Sequence, residues 1–256
     1  MHIVVTNDDG VYAPGLLALA KELMKLGTVS IVAPDHNWSA SGHVKTLHRP
    51  LRVKEIELEN GIPARACDGA PSDCIALAVL GLLSEKIDFV VSGINPNANL
   101  GHDLTYSGTV TAAMEGAIWG IPSVAVSLDA PEYHRGPLDY SASAAAGRMV
   151  LEKLAQNPVD EHILLNVNVP YLPLDQMKGF AITRQGLRIY RDELVKREDP
   201  RGRPYYWIGG DAPTGVKEAG TDFGELAKGY ISVTPIQLDL TAHNLIPQIN
   251  TWNWSI

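Results

Sequence analysis

The sequence has little cysteine and no long apolar segment, and each absence argues against a class of protein. Only Cys67 and Cys74 occur, without a CxxC pair or a Cys/His spacing typical of zinc sites. We interpret both as small buried side chains in a reducing compartment, with a disulfide as the less favoured alternative. No apolar run approaches the ~20 residues that span a bilayer, and no basic region precedes an apolar N-terminal core. We therefore expect a cytoplasmic protein without a membrane partner.

Basic residues are also scarce relative to acidic ones. The net charge of −8 argues against a protein that binds nucleic-acid duplexes, since such proteins normally present a basic face. A phosphate-bearing substrate would have to be attracted locally, by a metal and backbone N–H groups. Core material is plentiful, because 45% of the 256 residues are hydrophobic and 20% are charged. This length suits one large domain or a domain with an appendage.

The first ten residues contain the most suggestive segment. His2–Thr6 is a short apolar, β-branched run typical of a buried strand, and it leads into Asn7-Asp8-Asp9-Gly10. Open parallel sheets bind ligands beyond the carboxyl ends of their strands, so we expect Asp8 and Asp9 at that edge. Two adjacent carboxylates repel each other unless a cation or a shared proton compensates, and a hard divalent metal prefers oxygen ligands. The alternative is an ordinary polar turn, for which the same residues are suited.

Alternating strand and helix patterns predict an α/β fold with a mainly parallel sheet. Helices are predicted at Ala13–Leu26, Asp73–Leu83 with Ser72 or Asp73 as N-cap, Thr109–Trp119 and Leu138–Leu154. Buried strands are predicted at His2–Thr6, Thr28–Ala33, Ile87–Ser92, Ile121–Leu128 and His162–Val169, with a hairpin over Lys45–Asp68 that turns at Asn60-Gly61.

The alternation fades after Pro170. Extended segments follow, with the charged Glu193–Gly202 predicted as a solvated loop or hairpin tip and Tyr230–Pro235 as a last strand. The final segment, Gln237–Ile256, is too apolar for a free tail. We expect it to pack on this subunit or on a partner.

Two loops join Asp8 at the predicted ligand-binding edge. Asp35–Gly42 is rich in oxygen donors, although a polar surface loop explains that segment equally well. Gly93–Gly108 holds Asn95 near its start and runs into a helix, where unpaired N–H groups and the helix dipole form an anion site. Neither the Walker nor the dinucleotide glycine pattern is present. Within that helix, Glu115 could reach back to the edge or cap a neighbouring loop, and we favour the second role.

Taken together, the motifs resemble the SurE survival-protein nucleotidases, which are metal-dependent phosphatases of nucleoside monophosphates. The resemblance covers nearly the whole chain, with its motifs in order. They are NDDG at 7–10, PDxNxS at 34–39, GxPxDC at 69–74, SGIN at 92–95, NLG at 99–101, YSGTV at 106–110, AxEG at 113–116, TRQG at 183–186, GTD at 220–222 and GYxSxTP at 229–235.

The resemblance implies that Asp8, Asp9, Ser39 and Asn95 hold one divalent metal ion, Mg²⁺ or Mn²⁺. It also implies that Ser107, Gly108 and Thr109 hold the phosphate. The implied fold is a Rossmann-like three-layer core over residues 1–170, with a β-rich extension over residues 171–256. That extension would exchange between subunits of a homodimer or homotetramer through its C-terminal arm.

The sequence departs from the family pattern in four places. His36 stands where arginine is usual, Pro96-Asn97 replaces a segment with glycine, Val44 replaces a serine and Ala70 a threonine. We expect Asn97 to preserve the turn because asparagine tolerates positive φ. None of these residues is among the implied ligands, so we expect the departures to affect substrate preference before they affect activity.

Several alternatives remain open at this point. Asp8 could be the base for an attacking water or could itself be the nucleophile of an aspartyl-phosphate route. The chain could cleave the 5′ ester and also the 3′ ester or polyphosphate. It could instead be a non-catalytic regulator that binds nucleotide or phosphate, although paired aspartates without a metal would disfavour an anion. A glycosyltransferase with a metal-bound nucleotide-sugar is a third, less favoured interpretation.

Overall fold

The computed structural model describes residues 1–159 and 162–255. The strands of these ranges are β1 His2–Thr6, β2 Thr28–Pro34, β3 Val53–Glu57, β4 Pro63–Cys67, β5 Phe89–Asn95, β6 Ser123–Asp129, β7 Leu164–Pro170, β8 Phe180–Ile182, β9 Arg188–Glu198, β10 Pro204–Gly215 and β11 Ile231–Ile236. The α-helices are α1 Pro14–Leu23, α2 Pro71–Leu77, α3 Gly108–Ile118, α4 Ser141–Gln156, α5 Asp222–Leu226 and α6 Ile246–Ile249.

Within the described ranges, nine strands form one sheet in the order β3-β4-β2-β1-β5-β6-β7-β11-β8. Neighbouring strands run parallel except at β3–β4 and β7–β11. The strand β1 lies between β2 and β5, and its residues Ile3, Val4 and Val5 are fully buried. A strand covered on both faces needs such a continuous apolar run, so the first strand is confirmed.

Helices cover both faces of the sheet. On one face α1 packs against α4, and their leucines and alanines share a core with alternate residues of the central strands. On the other face α2 packs against α3, over the remaining residues of the same strands. This three-layer arrangement confirms the α/β prediction.

Two of the smaller predictions around β3, β4 and α2 have different outcomes. The hairpin is confirmed, since β3 and β4 pair antiparallel and both Asn60 and Gly61 have positive φ. The predicted helix start is wrong, because α2 begins at Pro71 and its N-cap is Ala70. The Asp73 carboxylate accepts the Ala70 N–H at 2.9 Å, so it stabilises the helix end from the third helical position.

The segment Glu193–Gly202, predicted as a solvated loop or hairpin tip, does contain a hairpin tip, but only between Glu198 and Pro204; its first six residues belong to a strand. The strand β9 continues to Glu198 and pairs antiparallel with β10, where Glu198 lies opposite Pro204. Both strands belong to a projecting hairpin with mostly exposed side chains, so no buried face produced the alternation that marks a strand in sequence.

The C-terminal tail remains exposed on its own subunit. Leu240, Trp252 and Trp254 expose 92%, 55% and 66% of their surface, and the two indoles stack 5.8 Å apart. Ile256 lies outside the described residues. Leu238, at the start of the tail, packs partly on this subunit's core. The exposed side chains beyond it do not, and for them the other alternative, a partner, stays a prediction. Within the described ranges as a whole, no helix has the length and apolar character needed to cross a membrane.

We predict that Gly116→Ala destabilises the fold by about 1–3 kcal/mol, because a methyl group there would lie 2.9 Å from Val90 Cβ, where α3 meets the sheet. Gly147→Ala on α4 is the matched control. Its methyl would meet only side-chain methyls of Val126 and Leu19, at 3.1 and 3.3 Å, and alanine favours a helix. Urea unfolding measures both, and equal effects would contradict this account of α3 packing.

Candidate active site

Asp8 lies where β1 points at the N-terminus of α3. Its side chain is buried, and its Oδ1 accepts a hydrogen bond of 2.5 Å from Thr109 Oγ1. The helix begins here because Ser107 is the N-cap, with its Oγ accepting the Val110 N–H at 3.2 Å. The positive end of the helix dipole thus faces a carboxylate.

Glycine at position 108 permits this contact. A Cβ on Gly108 would lie 2.6 Å from the Cβ of Asp8 and 2.9 Å from its Oδ2, distances at which two side chains cannot coexist. The closest approach between the first strand and the helix therefore depends on a residue without a side chain. Here sequence reasoning had named the residue as part of an anion site, and the structure adds its packing role.

The two aspartates have no positively charged side chain as a partner among the described residues. Burial raises the pKa of Asp8, while hydrogen bonds from Thr109 and nearby backbone N–H groups oppose that shift. Burial and, to a smaller extent, the adjacent Asp8 charge together raise the pKa of Asp9 to about 7. Neither carboxylate forms an ion pair with any described residue. A bound cation would relieve both the repulsion and the cost of burial.

The loop after β2 lies against the same two aspartates. The Trp38 N–H donates to the Asp8 carbonyl oxygen at 2.7 Å, and Asn37 Nδ2 donates to Asp9 Oδ1 at 3.4 Å. Asn37 Oδ1 in turn accepts the Ser39 N–H at 2.7 Å. These bonds connect Ser39 to Asp9 through one residue and leave Ser39 exposed at the edge.

Asn95 reaches the same edge through strand register. β1 and β5 run parallel with Thr6 opposite Ser92, so Asn95 and Asp9 each lie three residues beyond a paired position. Asn95 Nδ2 donates to the Asn97 carbonyl oxygen at 2.5 Å. Among the described residues, no donor meets the Asn95 side-chain oxygen. No hydrogen bond in the described ranges joins Asn95 to Asp8, Asp9 or Ser39.

Two of the departures from the family pattern can now be placed. Asn97 does not have positive φ, so the turn does not use the tolerance of asparagine for that conformation. The His36 ring contacts its neighbours, with Nδ1 2.5 Å from Asp35 Oδ1 and the ring 5.2 Å from that of Trp38. Both residues lie beside the site without replacing any of its oxygen donors.

The donor set suits a hard divalent cation. It comprises two carboxylates with raised pKa, the Ser39 hydroxyl and the Asn95 amide oxygen. In the described part of the chain, no group of three or more His, Cys, Asp or Glu side chains could hold a metal. An ion at this edge would therefore take neutral oxygen ligands beside the aspartates, as Mg²⁺ and Mn²⁺ accept.

Glu115 is the centre of a second cluster of side chains, which the sequence predicted only in part. Glu115 accepts hydrogen bonds from His43 Nε2 and Lys45 Nζ in the loop after β2, and from Trp119 Nε1 on its own helix. Burial disfavours the charged form, but these three donors outweigh it and lower the pKa of Glu115 to about 2. Glu115 does contact a neighbouring loop, as predicted. His43 and Lys45 were missed as its partners, because nothing in their spacing marks them.

The chain is similar to known proteins in sequence and in fold. A sequence model described as "Survival protein SurE" matches residues 3–192. The chain is 51% identical to a 5′-nucleotidase SurE of Herpetosiphon aurantiacus, covering 100% of this chain and 99% of the relative. It is 50% identical to a 5′-nucleotidase SurE of Chloroflexus aggregans, covering 99% and 100%. The crystal structure of the SurE protein from Aquifex aeolicus superposes with a TM-score of 0.82 at 39% identity, over 98% of each chain.

We predict that Thr109→Val lowers the free energy of unfolding by about 1–3 kcal/mol at neutral pH, because the buried Asp8 carboxylate loses a hydrogen-bond donor. Thr109→Ser keeps the hydroxyl and removes one methyl group, which costs about 0.8 kcal/mol. Urea denaturation of both variants gives the comparison. A valine variant no less stable than the serine variant would show that the bond to Asp8 is dispensable.

Proposed function

The chain belongs to the SurE survival-protein family, and we propose that it is a metal-dependent 5′-nucleotidase that releases phosphate from nucleoside monophosphates. The observation that carries this proposal is the pair Asp8 and Asp9, of which Asp8 is buried against a helix N-terminus and Asp9 is half-buried, without a basic partner in the described residues. Relatives that match nearly end to end bear the same activity in their names. Cleavage of 3′ esters or of polyphosphate would be further activities of the same site.

We propose that Asp8, Asp9, Ser39 and Asn95 hold one divalent ion, Mg²⁺ or Mn²⁺, in each subunit. When bound, that ion supplies positive charge against the phosphate dianion. The support is the oxygen chemistry of the four side chains and their placement at one edge by β1, β5 and the loop after β2.

The phosphate is proposed to bind at the start of α3, through Ser107, Gly108 and Thr109. Ser107 Oγ uses a lone pair to accept the Val110 N–H, so its hydroxyl hydrogen is free to donate to a phosphate oxygen. The N–H groups of Gly108 and Thr109 lie close enough to Asp8 to lower its pKa. A phosphate at this helix end would share those donors with Asp8.

Asp8 is the residue we propose to act on the reacting atoms. In our preferred route its carboxylate accepts a proton from the water that attacks phosphorus, and the alcohol leaves with the proton it needs from solvent. In the rival route Asp8 itself attacks phosphorus and expels the alcohol, which takes its proton from solvent, and a water molecule then hydrolyses the aspartyl-phosphate. Rapid acid quench with radiolabelled nucleotide separates them, since only the rival route leaves a phosphoryl group on Asp8.

The extension over residues 171–256 is proposed to join subunits of a homodimer or homotetramer. Large side chains of the β9–β10 hairpin are exposed, with Leu194 at 72% and Ile208 at 85%. The C-terminal tail exposes further apolar side chains beyond β11. Exposed apolar surface of this extent is typical of protein–protein contacts. Residues 1–170 would form the catalytic core.

A cytoplasmic location is proposed on the composition of the chain. The two cysteines are buried and unpaired, as expected for small core side chains in a reducing compartment.

We predict metal-dependent phosphate release from a panel of nucleoside monophosphates, and a loss of about 10²–10³-fold or more in kcat for Asp8→Asn. Asp175→Asn removes an exposed carboxylate elsewhere in the fold and should retain activity. Release is measured with Mg²⁺, with Mn²⁺ and with neither. If folded protein released no phosphate with either ion, the chain would instead be a nucleotide- or phosphate-binding regulator.

We also predict that removal of residues 238–256 lowers the oligomeric state while leaving a folded core, because the exposed tail lies outside the main sheet. Light scattering after size exclusion measures the mass of the intact and shortened chains. A shortened chain with the mass of the intact assembly would exclude the tail as the joining element.

A further inference from the structure

The segment that carries Ser39 has no regular structure of its own. Residues 35–52, between β2 and β3, contain neither helix nor strand. Within it Ala40 has φ of +58°, a left-handed conformation that residues with a Cβ adopt only at an energetic cost. A turn of this kind persists only where its surroundings hold both of its ends. We call residues 38–46 the Ser39 loop.

The first end of the Ser39 loop is anchored on the aspartates. The Trp38 N–H donates to the Asp8 carbonyl oxygen at 2.7 Å, as described above. This bond holds the loop one residue before Ser39. It does not determine the path of the chain after Ala40, which could turn towards solvent.

The second end is anchored on α3. The Gly42 N–H donates to the Tyr106 carbonyl oxygen at 3.1 Å, and Gly42 oxygen accepts from Thr111 Oγ1 at 3.0 Å. Immediately beyond, His43 Nε2 lies 2.9 Å from Glu115 Oε2 and Lys45 Nζ lies 3.0 Å from Glu115 Oε1. A single carboxylate thus receives two side chains of the loop, one on each oxygen.

Glu115 is a buried and ionised anchor of the loop, and a second buried carboxylate, Asp73, accepts the Thr46 N–H and hydroxyl at the far end of the loop at 2.9 and 2.6 Å. The Glu115 side chain is 4% exposed, whereas those of His43 and Lys45 are 33% and 46% exposed. A buried carboxylate requires donors, so α3 constrains the loop to stay where both can reach it. The bond from Trp119 Nε1, at 2.9 Å, stays within the helix and does not restrain the loop.

We propose that Glu115 is a positioning residue, which holds His43 and Lys45 and thereby keeps the Ser39 hydroxyl at the edge occupied by Asp8 and Asp9. It acts through the Ser39 loop and touches neither phosphate nor cation. The proposal rests on the proposed function only in taking that edge as the cation site. Its expected consequence is a higher affinity for the divalent cation, with little effect on the reaction once the cation is bound.

The test measures the affinity of the Glu115→Gln variant for Mn²⁺ in the absence of substrate. Electron paramagnetic resonance detects the free ion. Glutamine keeps the size and the bond from Trp119 but removes the charge that holds Lys45. We expect the Kd for Mn²⁺ to rise about 10-fold, since one of the cation's four oxygen donors is no longer held in place. In the phosphatase assay, kcat at saturating Mn²⁺ should stay within about threefold of the native value.

A matched set of variants separates positioning from general stability. Lys45→Met removes the same contact from the exposed side and should weaken Mn²⁺ binding in the same direction. The double variant Glu115→Gln/Lys45→Met should be no weaker than the worse single variant, because both remove one interaction. Trp119→Phe removes the indole N–H bond to Glu115 but keeps an aromatic ring near Lys45 Nζ, which lies 5.8 Å from the centroid of the Trp119 ring, so it should leave the Kd unchanged. Circular dichroism and thermal melting establish that each variant is folded.

Three results would overturn the proposal. One is a Kd for Mn²⁺ within twofold of the native value in folded Glu115→Gln. Another is a lowered melting temperature and kcat with unchanged Mn²⁺ affinity, which is the pattern of a merely structural residue. If Glu115→Gln fails to fold, Lys45→Met decides the question. The third contradicting result is then an unchanged Kd for Mn²⁺ in folded Lys45→Met. If the native protein bound Mn²⁺ but released no phosphate, the proposed function would be refuted. The role of Glu115 would then be decided by the Mn²⁺ affinities of the variants alone.

Discussion

The arrangement of this site depends on placing two adjacent carboxylates in a largely buried position. Asp8 is tolerated because the N-terminus of α3 faces it with a hydroxyl and N–H groups, and because Gly108 lets the helix approach within contact distance. Asp9 has no such compensation, and burial together with its neighbour raises its pKa to about 7. Because the charge of Asp9 is not compensated in the same way as that of Asp8, a bound cation would stabilise the pair.

The remaining donors reach this pair because adjacent parallel strands end at one edge of the sheet. The order β2-β1-β5 brings the loop after β2 to one side of Asp8 and Asn95 to the other. In our proposals the N-terminus of α3 binds the phosphate, and Glu115 of the same helix, which accepts bonds from His43 and Lys45, holds the Ser39 loop. Site and scaffold share this helix, so its packing at Gly116 affects both.

Much of this could be predicted from local patterns. The continuous apolar run of β1, the polar segment after it and the loop entering α3 each follow from residue types over a few positions. The predictions failed where the residue types were ambiguous or gave no periodic signal. Asp73 appeared to be an N-cap, but its carboxylate reaches back to Ala70 and also binds Thr46. The strand β9 lacked alternation because its hairpin has little buried face.

The sequence by itself determined the fold class, the pairing of carboxylates and their position at the end of a strand, because these depend on short-range periodicity and chemistry. Only the tertiary structure decided which groups meet. The bond between Thr109 and Asp8 joins residues 101 positions apart, and the bonds of His43 and Lys45 to Glu115 join residues 72 and 70 apart. No local pattern encodes such pairs, since they form when helices and loops pack on a common sheet.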